Sequence, residues 1–256
     1  MYPTLFLAHG TPLLAAEDLP YTRFLRNLGR HLPRPEGIVV VSAHWESPLQ
    51  LISGASRHET LHDFFGYPEE AYAVTYPGQG DILLSLQIRK ELAAEGIASE
   101  IDDARGLDHG VWSLLHWMYP AADIPVVALS VHPRLAPEEP YRIGQALHAL
   151  REKGILVIGS GGTVHNPPLL QWDSSMVDRW ALEFDEWLGE RIGVWDLEAL
   201  FDYESRAPHA KLAAPTREHL YPLFLAMGLA DRKRKARLLH QEYQYGSLSL
   251  TGWMFG

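Results

Sequence analysis

The chain has 256 residues, 46% of them hydrophobic and 21% charged, with 22 Lys and Arg against 32 Asp and Glu for a formal net charge of −10. This is ordinary globular material. It excludes disorder, collagen and coiled coil, and its negative balance disfavours phosphate backbones and anionic lipid as partners.

In chain order, short apolar runs alternate with amphipathic stretches. Thr4–Ala8 is the first run. The residues before and around it lack the basic n-region of a signal peptide. Glu17–His31 reads as a helix, Ile38–Ala43 as a second strand, and Ile82–Glu95 as a helix with Leu83, Leu86, Ile88 and Leu92 on its apolar side. Then come a helix over Val111–Tyr119, a strand over Val126–Val131, a helix over Pro137–Arg151 and a strand over Ile155–Gly159. Val177–Ile192 is helical, apolar on more than one side through Trp180, Leu182, Phe184, Trp187 and Leu188, and predicted to be well buried. A further helix runs through Leu220–Met227 with Thr216 as its N-cap. The basic cluster Arg232, Lys233, Arg234, Lys235 and Arg237 reads as a solvated turn or helix end and implies no partner. Tyr243–Trp253 alternates loosely and predicts an added strand.

Compact Val-, Ile- and Leu-rich runs suit strands buried on both faces, and their alternation with helices predicts an α/β fold. No internal repeat, linker or composition shift divides the chain, so residues 1–256 read as a single domain with a central, largely parallel or mixed sheet and helices on both faces. No stretch approaches the ~18 apolar residues of a membrane span. The expectation is a soluble cytoplasmic protein with no nucleic-acid or membrane partner and an open assembly state. Cysteine is absent. That removes disulfides, thiolate metal sites, iron–sulfur clusters and cysteine nucleophiles.

The thirteen histidines are placed unevenly. His9 directly follows the first apolar run and His44 the second, while His165 follows the Ile155–Gly159 run after a glycine-rich turn, Gly159-Ser160-Gly161-Gly162. In open α/β sheets the ligand crevice lies outside the carboxyl ends of the strands, so three such histidines converge on one crevice. A lone histidine is more often a hydrogen-bonded core or surface residue. Three at three strand ends point instead to a metal, because neutral imidazole is the commonest ligand for zinc, iron, nickel and copper. His132 also follows a run and is a lower-ranked candidate. His219 falls in the first turn of the helix begun by Thr216, with Glu218 beside it as a fallback ligand. Asp108 reads as the cap of the Val111–Tyr119 helix. His109, at the positive end of that helix, is suited to a neutral hydrogen-bonding role.

Two motifs compete. His58-Glu59-Thr60-Leu61-His62 matches the H-E-x-x-H zinc-peptidase pattern, but that chemistry needs a helix, and Gly66 and Pro68 follow too closely. The Gly159-x-Gly161 turn lacks the third glycine of a dinucleotide fingerprint and the Gly-Lys-Ser/Thr of a P-loop.

The set His9-Gly10, Ser42-Ala43-His44-Trp45, Leu107-Asp108-His109-Gly110, Val164-His165-Asn166 and Ala214-Pro215-Thr216-x-Glu218-His219 resembles the class III extradiol ring-cleavage dioxygenases, on the 4,5-DOPA dioxygenase branch. The resemblance extends to Tyr245-Gly246-Ser247-Leu248-Ser249 and so covers nearly the whole chain. It implies His9, His44 and His219 as metal ligands, His165 as a base or fourth ligand, and His109 facing the substrate. It also places His62 in a loop near the site. The implied substrates are a small aromatic diol and O2 at one mononuclear Fe(2+) or Zn(2+) site. Three neutral histidines would leave the metal its full charge and its open positions to a catecholate. The same three-histidine set also suits a zinc hydrolase, and proteins of the Memo type resemble this fold while using a histidine pocket as a binding surface. Trp45, Tyr243 and Tyr245 are the aromatic candidates for a ring-binding wall, against ordinary core packing.

Overall fold

The computed structural model describes residues 1–256. Its ten strands are β1 (Thr4–Ala8), β2 (Gly37–Glu46), β3 (Gln50–Ser53), β4 (Ser99–Asp102), β5 (Val126–Val131), β6 (Ile155–Gly161), β7 (Ala236–His240), β8 (Tyr243–Gln244), β9 (Leu248–Ser249) and β10 (Gly252–Phe255). Eight form one sheet in the order β4-β3-β5-β2-β6-β1-β10-β7. The centre is parallel, β5, β2, β6 and β1 in turn, with β3 and β10 running antiparallel to their inner neighbours. The architecture is therefore α/β with a mixed, mostly parallel sheet.

Strands β1, β5 and β6 are buried along their whole length, and β2 up to Ala43, because both faces are covered. Side chains alternate between the two covers, as a two-residue period requires. Val39, Val41, Val127, Leu129 and Val157 join one core with Ile88, Leu92, Phe184, Leu188 and Phe224. Ile38, Val40, Val126, Leu156 and Ile158 join the other with Tyr21, Leu25, Val111, Trp112 and Leu115.

Several boundaries differ from the sequence reading. The first helix begins at Pro20, which can occupy a first helical position because it needs no hydrogen-bonded N–H there. The Pro137–Arg151 segment splits into a helix over Glu138–Ala146 and a 3-10 turn over His148–Lys153. In the Arg179–Gly193 helix only one face is fully buried, through Ala181, Phe184, Leu188 and Ile192, while Trp180 and Trp187 are partly covered. Tyr243–Trp253 is not one strand. Positive φ at Tyr245 and Gly246 (52° and 82°) turns β8 back onto β9, and β10 then pairs with β1. Strands β3, β4 and β7 have no counterpart in the reading. They are short and partly polar, so they carry no apolar run.

The last helix spans Tyr221–Leu229, with Leu220 and not Thr216 at its N-cap. The Thr216 hydroxyl donates instead to Glu218 Oε1 at 2.7 Å. All nine helical residues are buried. The chain enters across β6, where a Cβ on Gly159 would lie 2.2 Å from the Pro222 carbonyl oxygen and one on Gly161 only 2.0 Å from that of His219. The glycine-rich segment thus serves close backbone approach. The Gly162 N–H donates to the His219 carbonyl at 2.9 Å and holds that residue at the strand end.

Candidate metal centre

His9, His44 and His165 meet at the carboxyl ends of β1, β2 and β6, the convergence the strand-end pattern predicts, and His109 and His219 join them there. Neighbouring ring centroids lie between 3.4 and 5.4 Å apart. His9 is the residue after β1. His44 lies inside β2, where pairing with β5 slips between Val41 and Glu46. His109 is the first residue of the helix His109–Met118, and His165 follows the turn after β6. His219 sits in the turn before its helix, not in the first helical turn.

In four of the rings, those of His9, His44, His109 and His219, the outer nitrogen faces an oxygen partner. The Ser160 hydroxyl spends its one proton on the Gly110 carbonyl, so toward His9 Nδ1, 3.0 Å away, it can only accept. His9 is then protonated on Nδ1. His219 Nδ1 donates to Glu218 Oε1 at 3.0 Å, and His109 Nδ1 to Asp63 Oδ1 at 2.9 Å. Asp63 Oδ2 stands 3.4 Å from His44 Nδ1, so one carboxylate serves two rings. Asp63 Oδ1 also accepts the His109 backbone N–H at 3.0 Å and caps that helix. Asp108 holds the N-cap position without capping through its side chain; its carboxylate goes to the Ser42 hydroxyl at 2.6 Å and to Arg105 at 3.1 Å.

With the Nδ1 positions protonated, the Nε2 atoms present lone pairs to one another. His44 Nε2 is 2.9 Å from His9 Nε2 and 3.3 Å from His219 Nε2. Facing lone pairs at that distance repel unless a cation lies between them. A metal with ~2.05 Å bonds to nitrogen spaces its ligand atoms about 2.9 Å apart at a right angle and about 3.3 Å at the tetrahedral angle. The donor set therefore fits a divalent metal. Two neighbouring groups, with no shared member, have ligand atoms mutually within 4.8 Å: His9, His44 and His109, and His165, Glu218 and His219.

Burial first, and the charges of neighbouring imidazoles second, hold His9 and His219 well below the usual histidine range; His44 follows them despite the opposing pull of Asp63. His165 is brought down to about 4 by burial and by His109. Burial pushes the Asp63 carboxyl up, but the bonds from His109 outweigh it and bring the group to about 2. Neutral rings around an ionised carboxylate are the form a metal requires.

Other candidates fall elsewhere. His58 and His62 lie on an extended loop, not a helix. His58 Nε2 contacts the Val126 carbonyl at 3.0 Å and His62 Nε2 the Val74 carbonyl at 3.0 Å, so the peptidase motif has no metal geometry. Glu218, the fallback ligand, is bonded to the far nitrogen of His219. His132 stands on the end of β5, outside the imidazole cluster. Trp45 is core, with the Arg105 guanidinium 5.2 Å over its ring, and the Tyr243 hydroxyl donates to Asp185 at 2.8 Å. Tyr245 alone of the aromatic candidates reaches the rim, 4.6 Å from Trp172. From there the aromatic contacts continue through Tyr67 to Phe64, which meets His109 edge-on at 5.7 Å.

Sequence reasoning missed Asp63, Ser160, Phe64 and Trp172. Ser160 sits inside the glycine-rich turn and Asp63 directly after His62, but neither position has a local pattern that reveals its partner.

Residues 3–256 match the family of the catalytic LigB subunit of aromatic ring-opening dioxygenase, and the chain belongs to that family of extradiol enzymes. Relatives described as 4,5-DOPA dioxygenase extradiol are 39% identical in Beta vulgaris, over 98% of this chain and 96% of the relative, and 36% identical in Escherichia coli K12, over 99% and 94%. The crystal structure of an uncharacterized protein from Escherichia coli K12 superposes with a TM-score of 0.85 at 32% identity, covering 100% of both chains. No helix is long and apolar enough to cross a membrane.

Proposed function

We propose that the protein opens the ring of a DOPA-like catechol with O2 at a single metal held by His9, His44 and His219. The observation that carries this reading is the set of Nε2 atoms at 2.9 and 3.3 Å whose Nδ1 partners leave them unprotonated. When bound, iron(II) supplies the electron path between catecholate and O2, which zinc lacks.

The remaining steps belong to the chain. His165, neutral above about pH 4, accepts a proton from a catechol hydroxyl. His109, with Nδ1–H fixed on Asp63, turns Nε2 toward the substrate. Phe64 and the aromatic residues beyond it line one wall and keep water from the reacting ring. Ser160, Asp63 and Glu218 hold imidazole tautomers and so position the donors.

Metal-stripped protein is reconstituted anaerobically with iron(II) or zinc, then given air and a panel of catechols including DOPA, with O2 uptake and product absorbance followed together. Matched O2 loss and product with iron, absent with zinc, is expected. Metal content of His219→Ala and His109→Ala separates the two ligand assignments: the first loses metal and the second retains it. No turnover of any catechol by stoichiometrically iron-loaded protein overturns the reading in favour of a zinc hydrolase or a Memo-type binding protein.

A further inference from the structure

The sheet order sets the carboxyl end of β5 beside that of β2, the strand that carries His44. The two ends are tied where the Ser47 N–H donates to the Val131 carbonyl at 2.9 Å. Between them lies a cleft of about 220 Å³ lined by Glu46, Ser47, Pro48, His132, Pro133 and Arg134. It contains one full positive charge and one negative. Neither Arg134 nor Glu46 forms an ion pair or a side-chain hydrogen bond, with each other or with any other residue, although both are exposed.

Two other arginines near this end of the sheet are engaged. Arg105 is engaged by Asp108 at 3.1 Å and by the His44 carbonyl at 3.2 Å, and Arg217 by Glu204 at 2.8 Å and the Leu135 carbonyl at 3.2 Å. A substrate carboxylate needs a cation that is not already neutralised, and Arg134 meets that condition. Opposite charges that share a cleft without pairing leave room for a ligand bearing both.

We infer that this cleft recognises the zwitterionic head of an α-amino-acid substrate, Arg134 taking the carboxylate and Glu46 the ammonium. The inference rests on the ring-opening reading above and adds the residues that would hold the substrate's head group. A ring seated at the imidazole cluster extends its side chain across the strand end. Adjacent strands are only ~4.8 Å apart, so a head group two carbons beyond the ring reaches the neighbouring loop. The guanidinium offers a planar fork matched to a carboxylate, and Glu46 is acceptor-only when ionised, as an ammonium requires.

The test uses four ligands: L-DOPA, dopamine without the carboxylate, 3,4-dihydroxyphenylpropionate without the ammonium, and 4-methylcatechol without either. Binding to zinc-loaded protein is measured by calorimetry, and KM and kcat are measured on iron-loaded protein. Arg134→Ala should weaken L-DOPA and dihydroxyphenylpropionate roughly ten- to hundredfold, the scale of a lost charge-assisted contact, and leave the order of dopamine and 4-methylcatechol unchanged. Glu46→Gln should weaken L-DOPA and dopamine and spare the other two. Equal effects on all four ligands, or none on any, overturn the inference. Selective losses in binding to a protein that turns over no catechol would sustain the zwitterion cleft and overturn the ring-opening reading.

Discussion

The imidazole of His165 lies flat against that of His219, with centroids 3.4 Å apart and planes within 13°. Stacked rings point their nitrogens along parallel planes. His165 therefore stands beside His219, a proposed metal ligand, with its own nitrogens in a separate, nearly parallel plane. Its backbone N–H donates to the Ala213 carbonyl at 2.8 Å, so the turn that carries it is fixed independently of the metal.

His165→Ala is expected to retain one metal per chain and to lose turnover by about 10²–10⁴-fold, the usual contribution of a positioned base. Metal analysis and kcat on the same preparation check this. Loss of metal along with activity would make His165 a fourth ligand.

Gly161→Ala tests how β6 sets His219. The added Cβ would stand 2.0 Å from the His219 carbonyl oxygen, a backbone atom that cannot rotate away. The turn must move outward, with an expected cost of about 1–3 kcal/mol in stability and weaker metal binding in a chelator competition. Gly193→Ala, where nothing lies within 4 Å of the new atom, is the control and should bind metal normally. Unchanged melting and metal affinity in Gly161→Ala would show that the close approach does not position His219.

Asp185 supplies a pH-dependent stability term remote from the imidazoles. Burial pushes its carboxyl above the ordinary aspartate range against the opposing bonds from Ser249 at 2.6 Å and Tyr243 at 2.8 Å. A carboxyl raised on folding stabilises the protein fully below its unfolded pKa of about 3.9, and the benefit is lost as pH rises through the folded value. Relative to Asp185→Asn, the wild-type protein should be more resistant to urea at about pH 3.5 than at about pH 7. Parallel urea midpoints for the two proteins across that range would contradict the assignment.

Much of the fold was legible because its central strands are buried on both sides. Thr4–Ala8 and Val126–Val131 are continuous apolar runs, and their bounds match β1 and β5. His9 could be placed from the first of these runs, and His165 from the Ile155–Gly159 run, which β6 extends to Gly161. His44 was placed directly after its strand, whereas β2 continues through it to Glu46. Its irregular pairing there leaves no mark in composition. The resemblance in motif order gave His219 a role, while the expected Thr216 cap misplaced it by a turn. Local propensity gave way to the demand that the chain cross β6 at its glycines.

The sequence by itself determined the α/β class, the buried strands and the histidines that follow them, because alternation and apolar runs are local properties written within a few residues. The tertiary structure decided which groups meet. His9 and Ser160 are 151 positions apart, His44 and His219 are 175 apart, and Asp63 reaches His109 across 46. Such contacts depend on strand order and backbone approach, which only the folded sheet fixes. A ring nitrogen's protonation follows from its neighbour across that fold and not from its neighbour in the chain.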